Sequence, residues 1–191
     1  MGKKRKKKKR SPVPKQFEQS IIKFYNSLNT CYAFRIPDAM FGKGMSAPSP
    51  ADAIACCEGV SYLIECKTKV AERVSFDSLS DNQIKCLGEF QETSFGNVSM
   101  VAVLMGYTKG QTTGRCFLIN YRQWLHWKGT LGRKSIPLDL LVEQAEAGGM
   151  FVHELVWKRG VGWTNDSLQA MYSKHLTPSG TLAGRKGSDV L

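Results

Sequence analysis

Apolar residues recur along the chain with two periods, and these place most of its elements. Phe17, Ile21, Phe24, Tyr25 and Leu28 fall at helical spacing, which predicts an amphipathic helix from Lys15. Ser11-Pro12-Val13-Pro14 is expected to stop whatever precedes it, because paired prolines resist helix. Tyr32 to Ile36 reads as a short strand or an extended exit from that helix. Ala53 to Cys57 and Val60 to Cys66 are two short apolar runs around Glu58-Gly59, the pattern of a tight hairpin. Ser80-Asp81-Asn82-Gln83 is a capping-box pattern, and Ile84, Leu87 and Phe90 carry the helix behind it. Val98 to Met105 is almost continuously apolar, as in a strand buried on both faces.

Further elements follow at regular intervals. Cys116 to Ile119 is the next strand, and Asn120 caps a short helix with Tyr121, Trp124 and Leu125. Pro137 to Ala147 is a helix ended by Gly148-Gly149, Phe151 to Trp157 a strand, and Asn165 to Lys174 a last helix. Pro37 to Ser49 reads as a loop with Phe41 and Lys43 at its tips. It is either a mobile surface loop or an arm that wedges apolar side chains into a partner. The expected organisation is a disordered basic tail (1–14), a single domain (15–176, with 37–49 protruding) and a disordered C-terminal tail (177–191).

Charge changes the picture at one end only. The 191 residues hold 27 basic against 16 acidic side chains, a net of +11. Residues 1–10 alone carry six Lys and two Arg, so the remainder has 19 against 16, a net of +3. Such a run is either a solvated arm or a non-specific phosphate binder acting through counterion release, with Lys3, Lys4 and Arg5 in contact. No apolar run is long enough to span a bilayer, and no apolar segment follows the basic start, so neither membrane insertion nor secretion is expected. The six cysteines lack metal-ligand spacing and read as reduced thiols of a cytoplasmic protein. His126, His153 and His175 are isolated and receive no catalytic role.

The candidate chemistry sits on the hairpin. A two-residue turn at Glu58-Gly59 puts Asp52 opposite Glu65, with β-carbons roughly 5 Å apart on one face of the sheet. Strand alternation brings Lys67 to the same face. Facing carboxylates repel unless a cation lies between them. Lys67 offers part of that charge, and Mg²⁺, held by one or two carboxylates and completed by water or phosphate oxygens, offers more. Mn²⁺ suits the same hard oxygen ligands. Glu18 reads first as a solvated helix carboxylate, of interest if its helix packs on the hairpin. Lys69 and Arg73 follow the hairpin within reach of a phosphate backbone, and Gly129 to Ser135 is a glycine-rich basic loop with Arg133 and Lys134. That loop lacks the Walker ending, so nucleotide hydrolysis is not supported.

This order of elements, with Pro50, Asp52 and Glu65-Cys66-Lys67, resembles the core of the PD-(D/E)xK nuclease superfamily. Within it the chain is similar to the RecU-type Holliday junction resolvases over residues 15–165. The likeness rests on the Phe17-Glu18 helix, the Asp52…Glu65-Cys66-Lys67 spacing, Asn82-Gln83-Ile84 and Gly132-Arg133-Lys134-Ser135-Ile136. The resemblance implies a restriction-endonuclease-like α/β fold, with a mixed central sheet flanked by helices. It also implies a homodimer that nicks four-way DNA junctions symmetrically in the bacterial, or virus-infected bacterial, cytoplasm. Asp52, Glu65 and Glu18 would hold Mg²⁺ and Lys67 would position water and offset transition-state charge. Gln83 would orient that water or merely cap its helix, and Arg35, Phe41 and Lys43 would join the DNA contacts. Two other readings stay open: a related DNA endonuclease acting on flaps, ends or a short sequence, and a nucleic-acid-binding scaffold whose Asp52, Glu65 and Lys67 form a structural ion cluster.

Overall fold

The structure is a computed structural model that describes residues 12–37, 39–41, 45–47, 49–107 and 114–173. Residues 1–11, with Lys3, Lys4 and Arg5, residues 174–191, Lys43 and most of the turn after Tyr107 lie outside the described residues. The strands are β1 (Cys31–Arg35), β2 (Ala39–Phe41), β3 (Met45–Ala47), β4 (Ala53–Cys57), β5 (Val60–Lys69), β6 (Arg73–Ser75), β7 (Asn97–Met105), β8 (Arg115–Asn120), β9 (Ser135–Pro137), β10 (Val152–Lys158) and β11 (Gly162–Thr164). The helices are α1 (Pro12–Asn26), α2 (Asp81–Thr93), α3 (Tyr121–Thr130), α4 (Leu138–Glu146) and α5 (Asp166–Ser173).

Seven strands form the central sheet in the order β1-β4-β5-β7-β8-β10-β11. Only β5 and β7 run parallel, joined through α2, and every other neighbour is antiparallel. This is the mixed α/β sheet flanked by helices that the sequence led us to expect. Its centre is β7, where Ser99 to Met105 are all buried, as the unbroken apolar run requires.

Strand alternation divides the core into two layers. Ala53, Ala55, Cys57, Ile64, Ala102 and Leu118 face α1 and α5, where Phe17, Ile21, Phe24, Tyr25 and Leu168 pack. Leu63, Val101, Val103, Phe117 and Ile119 face α2, α3 and α4, where Leu87, Trp124, Trp127 and Leu141 pack. Trp163 Nε1 donates to Ser20 Oγ at 2.9 Å, tying β11 to α1.

Three expectations are corrected, and one strand pairing is new. Helix α1 starts at Pro12 rather than Lys15, because prolines within a first turn occupy positions whose N–H groups have no helical partner anyway. Residues 37–49 contain a second small sheet of β2 and β3, with Phe41 pairing Met45 in the backbone register. Arg73–Ser75 pairs with Ser135–Pro137, so the basic loop after α3 is anchored to the segment after β5. Finally, Cys31 and Cys57 are joined by a disulfide, whereas reduced thiols were expected. The β1–β4 register sets these two residues opposite each other with Cα atoms 4.1 Å apart, a pairing that local sequence does not reveal. Cys56, Cys66, Cys86 and Cys116 are free thiols.

Candidate active site

The hairpin is built as its sequence dictates. Cys57 faces Val60 and Ala53 faces Ile64, and Glu58 (φ 50°) and Gly59 (φ 82°) adopt the left-handed conformations that a two-residue hairpin turn demands. β5 then projects Leu63, Glu65 and Lys67 towards the α2 layer, because residues two apart share a face.

Asp52 differs from the simple cross-strand picture. It occupies a bend just before β4, where its N–H donates to Ile64 O (3.1 Å) and its Oδ2 accepts from the Cys66 N–H (2.8 Å). The side chain thus takes the place of a strand neighbour and is held beside Glu65 by the backbone of β5.

Glu65 is buried, with 2% of its surface exposed. Its Oε1 meets Lys67 Nζ at 2.7 Å and Gln83 Nε2 at 2.6 Å. Gln83 Oε1 accepts from Lys67 Nζ and from the Ser80 N–H, each at 3.0 Å. In return the Ser80 hydroxyl accepts from the Gln83 N–H, completing the capping box of α2. Gln83 is thus the cap of α2, and the amide that closes the cap also grips Glu65 and Lys67.

The electrostatics follow from this crowding. Burial, and next the Asp52 carboxylate, push the Glu65 carboxyl from its ordinary 4.5 up to about 7, against the pull of Lys67. Burial raises Asp52 as well, opposed by the Cys66 amide, Lys67 and Arg35.

One atom is left over. No N–H or hydroxyl among the described residues donates to the buried Glu65 Oε2, and the neighbouring Asp52 carboxyl can share a hydrogen bond with Glu65 only while one of the two keeps a proton. A solvent-excluded acceptor next to a second carboxylate is an expensive arrangement by itself and a suitable one for a hard divalent cation. The residues present fit Mg²⁺ or Mn²⁺, with Glu65 Oε2 and Asp52 as its protein oxygens. Among the described residues no three His, Cys, Asp or Glu side chains converge into a closed metal cage.

Glu18 stands apart for a topological reason. It lies on α1, on the opposite side of the sheet from Glu65, and its Oε2 lies 3.3 Å from Arg35 Nε. Burial, followed by the charge of Asp52, raises the Glu18 carboxyl, so the two carboxylates sense each other around the end of β4. Arg35, read as a DNA contact, is exposed and engaged by Glu18.

The basic residues gather beyond β5. Lys69 ends that strand, Arg73 is exposed at the start of β6, and Arg133 and Lys134 are exposed in the loop before β9. Lys134 O accepts from the Phe76 N–H at 3.1 Å and from Ser75 Oγ at 3.3 Å. This ties the basic loop to the segment that runs straight into Ser80 and Gln83. An apolar cavity of about 470 Å³ opens elsewhere, at the Val60 end of β5, and none of the predicted catalytic residues lines it. Sequence reasoning missed the Cys66 N–H that orients Asp52, since a backbone donor leaves no residue-type signal.

No family model matches the chain, and no curated protein does. Among solved structures it is similar to Hjc of Archaeoglobus fulgidus, a Holliday junction resolvase from an archaeal hyperthermophile. The two share 18% identity over 71% of this chain and 99% of the other, with a TM-score of 0.48.

Proposed function

We propose that this protein is a Mg²⁺-dependent DNA endonuclease that resolves four-way junctions. The observation that carries the catalytic part is the pair of crowded carboxyls, Asp52 and the buried Glu65 whose Oε2 receives no N–H or hydroxyl, with Lys67 held against Glu65. A bound divalent ion would supply Lewis-acid polarisation of the scissile phosphate and a water of lowered pKa. Asp52 and Glu65 would hold that ion, and Lys67, kept in place by Gln83 Oε1, would face the phosphate and offset charge that develops there. Glu18 would act through water from the far side. Lys69, Arg73, Arg133 and Lys134 would track the sugar-phosphate backbone.

The junction specificity rests on the likeness of the sequence motifs to the RecU-type resolvases, with the β2–β3 hairpin as the element that engages the branch point. A homodimer, two cuts of like polarity and a location beside bacterial or viral DNA in the cytoplasm belong to the same proposal. Four-way junctions, flaps and linear duplex of identical sequence, incubated with the protein and Mg²⁺, separate the readings. Paired symmetric nicks confined to the junction support resolution. Equal cutting of linear duplex points to another endonuclease on the same core, and no cutting with intact binding points to a scaffold.

A further inference from the structure

Two aromatic rings on the outermost strand remain unexplained by the catalytic cluster. In β1, Tyr32 is 69% and Phe34 48% exposed, and their ring centroids lie 6.2 Å apart at 44°. Adjoining exposed apolar side chains on one face are a feature that binding surfaces use. Their partners in the register define which face this is. Tyr32 sits opposite Cys56, which sits opposite Ser61; Phe34 sits opposite Ile54, which sits opposite Leu63. Directly opposed residues share a face, so both rings stand on the side of the sheet from which Glu65 and Lys67 project.

The distances follow from sheet geometry. Phe34 lies one pleat repeat, about 7 Å, along the sheet from the row of Glu65, and two strands, about 10 Å, across it. The ring therefore stands on the order of 12 Å from the catalytic carboxylate, a few nucleotide steps of about 3.4 Å along a strand. Tyr32 continues the same line away from the site. Two rings 6.2 Å apart and tilted cannot sandwich one base, but each offers a separate face to a separate base.

The outer edge of β1 disfavours strand addition by a second copy. The Asn26 side chain donates to Ala33 O at 2.9 Å and accepts from the Ala33 N–H at 2.7 Å, closing the central hydrogen-bonding position of that edge. Among the described residues, Tyr32 and Phe34 remain exposed on the face of the sheet from which Glu65 and Lys67 project.

We infer that Tyr32 and Phe34 form a stacking platform for unpaired nucleobases of the cleaved strand, a few nucleotides from the scissile phosphate. The inference rests on the nuclease reading and deepens it, because it makes locally unstacked DNA, rather than continuous duplex, the preferred ligand. Stacking on aromatic side chains tolerates any base and has little salt dependence of its own, unlike the contacts of Lys69, Arg73, Arg133 and Lys134.

The test uses the full chain and whichever branched DNA it cuts, first mapping the cut and then measuring binding in EDTA. The probes are that DNA intact, and the same DNA made abasic at the four nucleotides flanking the cut on one side or the other. Tyr32→Leu/Phe34→Leu should bind the intact DNA about five- to 150-fold more weakly per lost stack, with an unchanged salt slope. Removing the bases should weaken the wild-type protein similarly and the double variant no further, while Tyr32→Phe should keep wild-type affinity. A melting midpoint within about 2 °C of wild type controls for folding.

An intact-DNA affinity within twofold of wild type overturns the platform, as does a base-removal effect that persists in the double variant. If sedimentation shows the double variant falling from dimer to monomer, the face belongs between two copies and the platform is refuted. If the wild-type protein neither binds nor cuts branched DNA, the nuclease reading itself fails. If it cuts normally while the stacking arms stay flat, only the platform fails.

Discussion

Replacing Glu65 by Gln tests whether the site is a frustrated pair of carboxylates awaiting a cation. The glutamine keeps the shape and can still meet Lys67 and Gln83, but it removes a charge that the fold disfavours. In the native protein the Glu65 carboxyl keeps its proton until about pH 7, against an ordinary value of 4.5. The native state therefore binds more protons than the unfolded chain between those values, and this group's contribution to stability falls as pH rises through them. At 1.36 kcal/mol per pH unit the interval corresponds to about 3 kcal/mol, reached in full above pH 7. Urea unfolding in EDTA should then find Glu65→Gln more stable than wild type at pH 8 by up to about 3 kcal/mol, and no more stable at pH 4. Adding Mg²⁺ at pH 8 should raise wild-type stability, by about 2.7 kcal/mol at a hundred times its Kd, and leave the variant unmoved. That response should fade below pH 7, where the ion competes with the proton on Glu65. Equal stability of the two proteins at pH 8, or a variant that responds to Mg²⁺ like wild type, would refute the reasoning.

Three further outcomes are expected. Asp52→Asn should abolish Mg²⁺-dependent cleavage while leaving junction binding in EDTA nearly intact, as read by gel cleavage and mobility shift; undiminished cleavage contradicts its role. Gln83→Ala removes both the cap and the grip on Lys67 and Glu65, so it should lower stability by about 1 kcal/mol and cleavage by about 10- to 100-fold. A stability loss with full activity would make Gln83 a cap alone. Deleting residues 1–10, with their six Lys and two Arg, should weaken binding to all DNA alike and flatten its salt dependence; an unchanged slope removes the tail from the interface.

The hairpin was readable because its determinants are local. A two-residue turn sets the register from Cys57–Val60 outward; β4 matches its apolar run, while β5 continues past Cys66 to Lys69. The capping box of α2 was equally local, and its Gln83 arrived at the site through the same bond that closes the cap. What escaped the sequence depends on partners far along the chain. The Cys31–Cys57 bond needs the β1–β4 pairing, and the β6–β9 pair joins short segments more than fifty residues apart. The sequence places Asp52 beside Glu65, but its bend and its hold on the Cys66 N–H arise because β4 begins one residue after it. Glu18 was paired with the hairpin by analogy, and only the helix layering shows that Arg35 holds it on the opposite side from Glu65. The folded chain thus brings Asp52, Glu65, Lys67 and Gln83 together and leaves Glu18 at one remove.

The most direct test of the central claim is cleavage of a four-way junction with Mg²⁺ and with EDTA, resolved on a denaturing gel. Paired, symmetric nicks that need Mg²⁺ and vanish in Asp52→Asn and Glu65→Gln are the predicted result. Metal-independent cutting, or cutting that survives in both variants, would contradict the account.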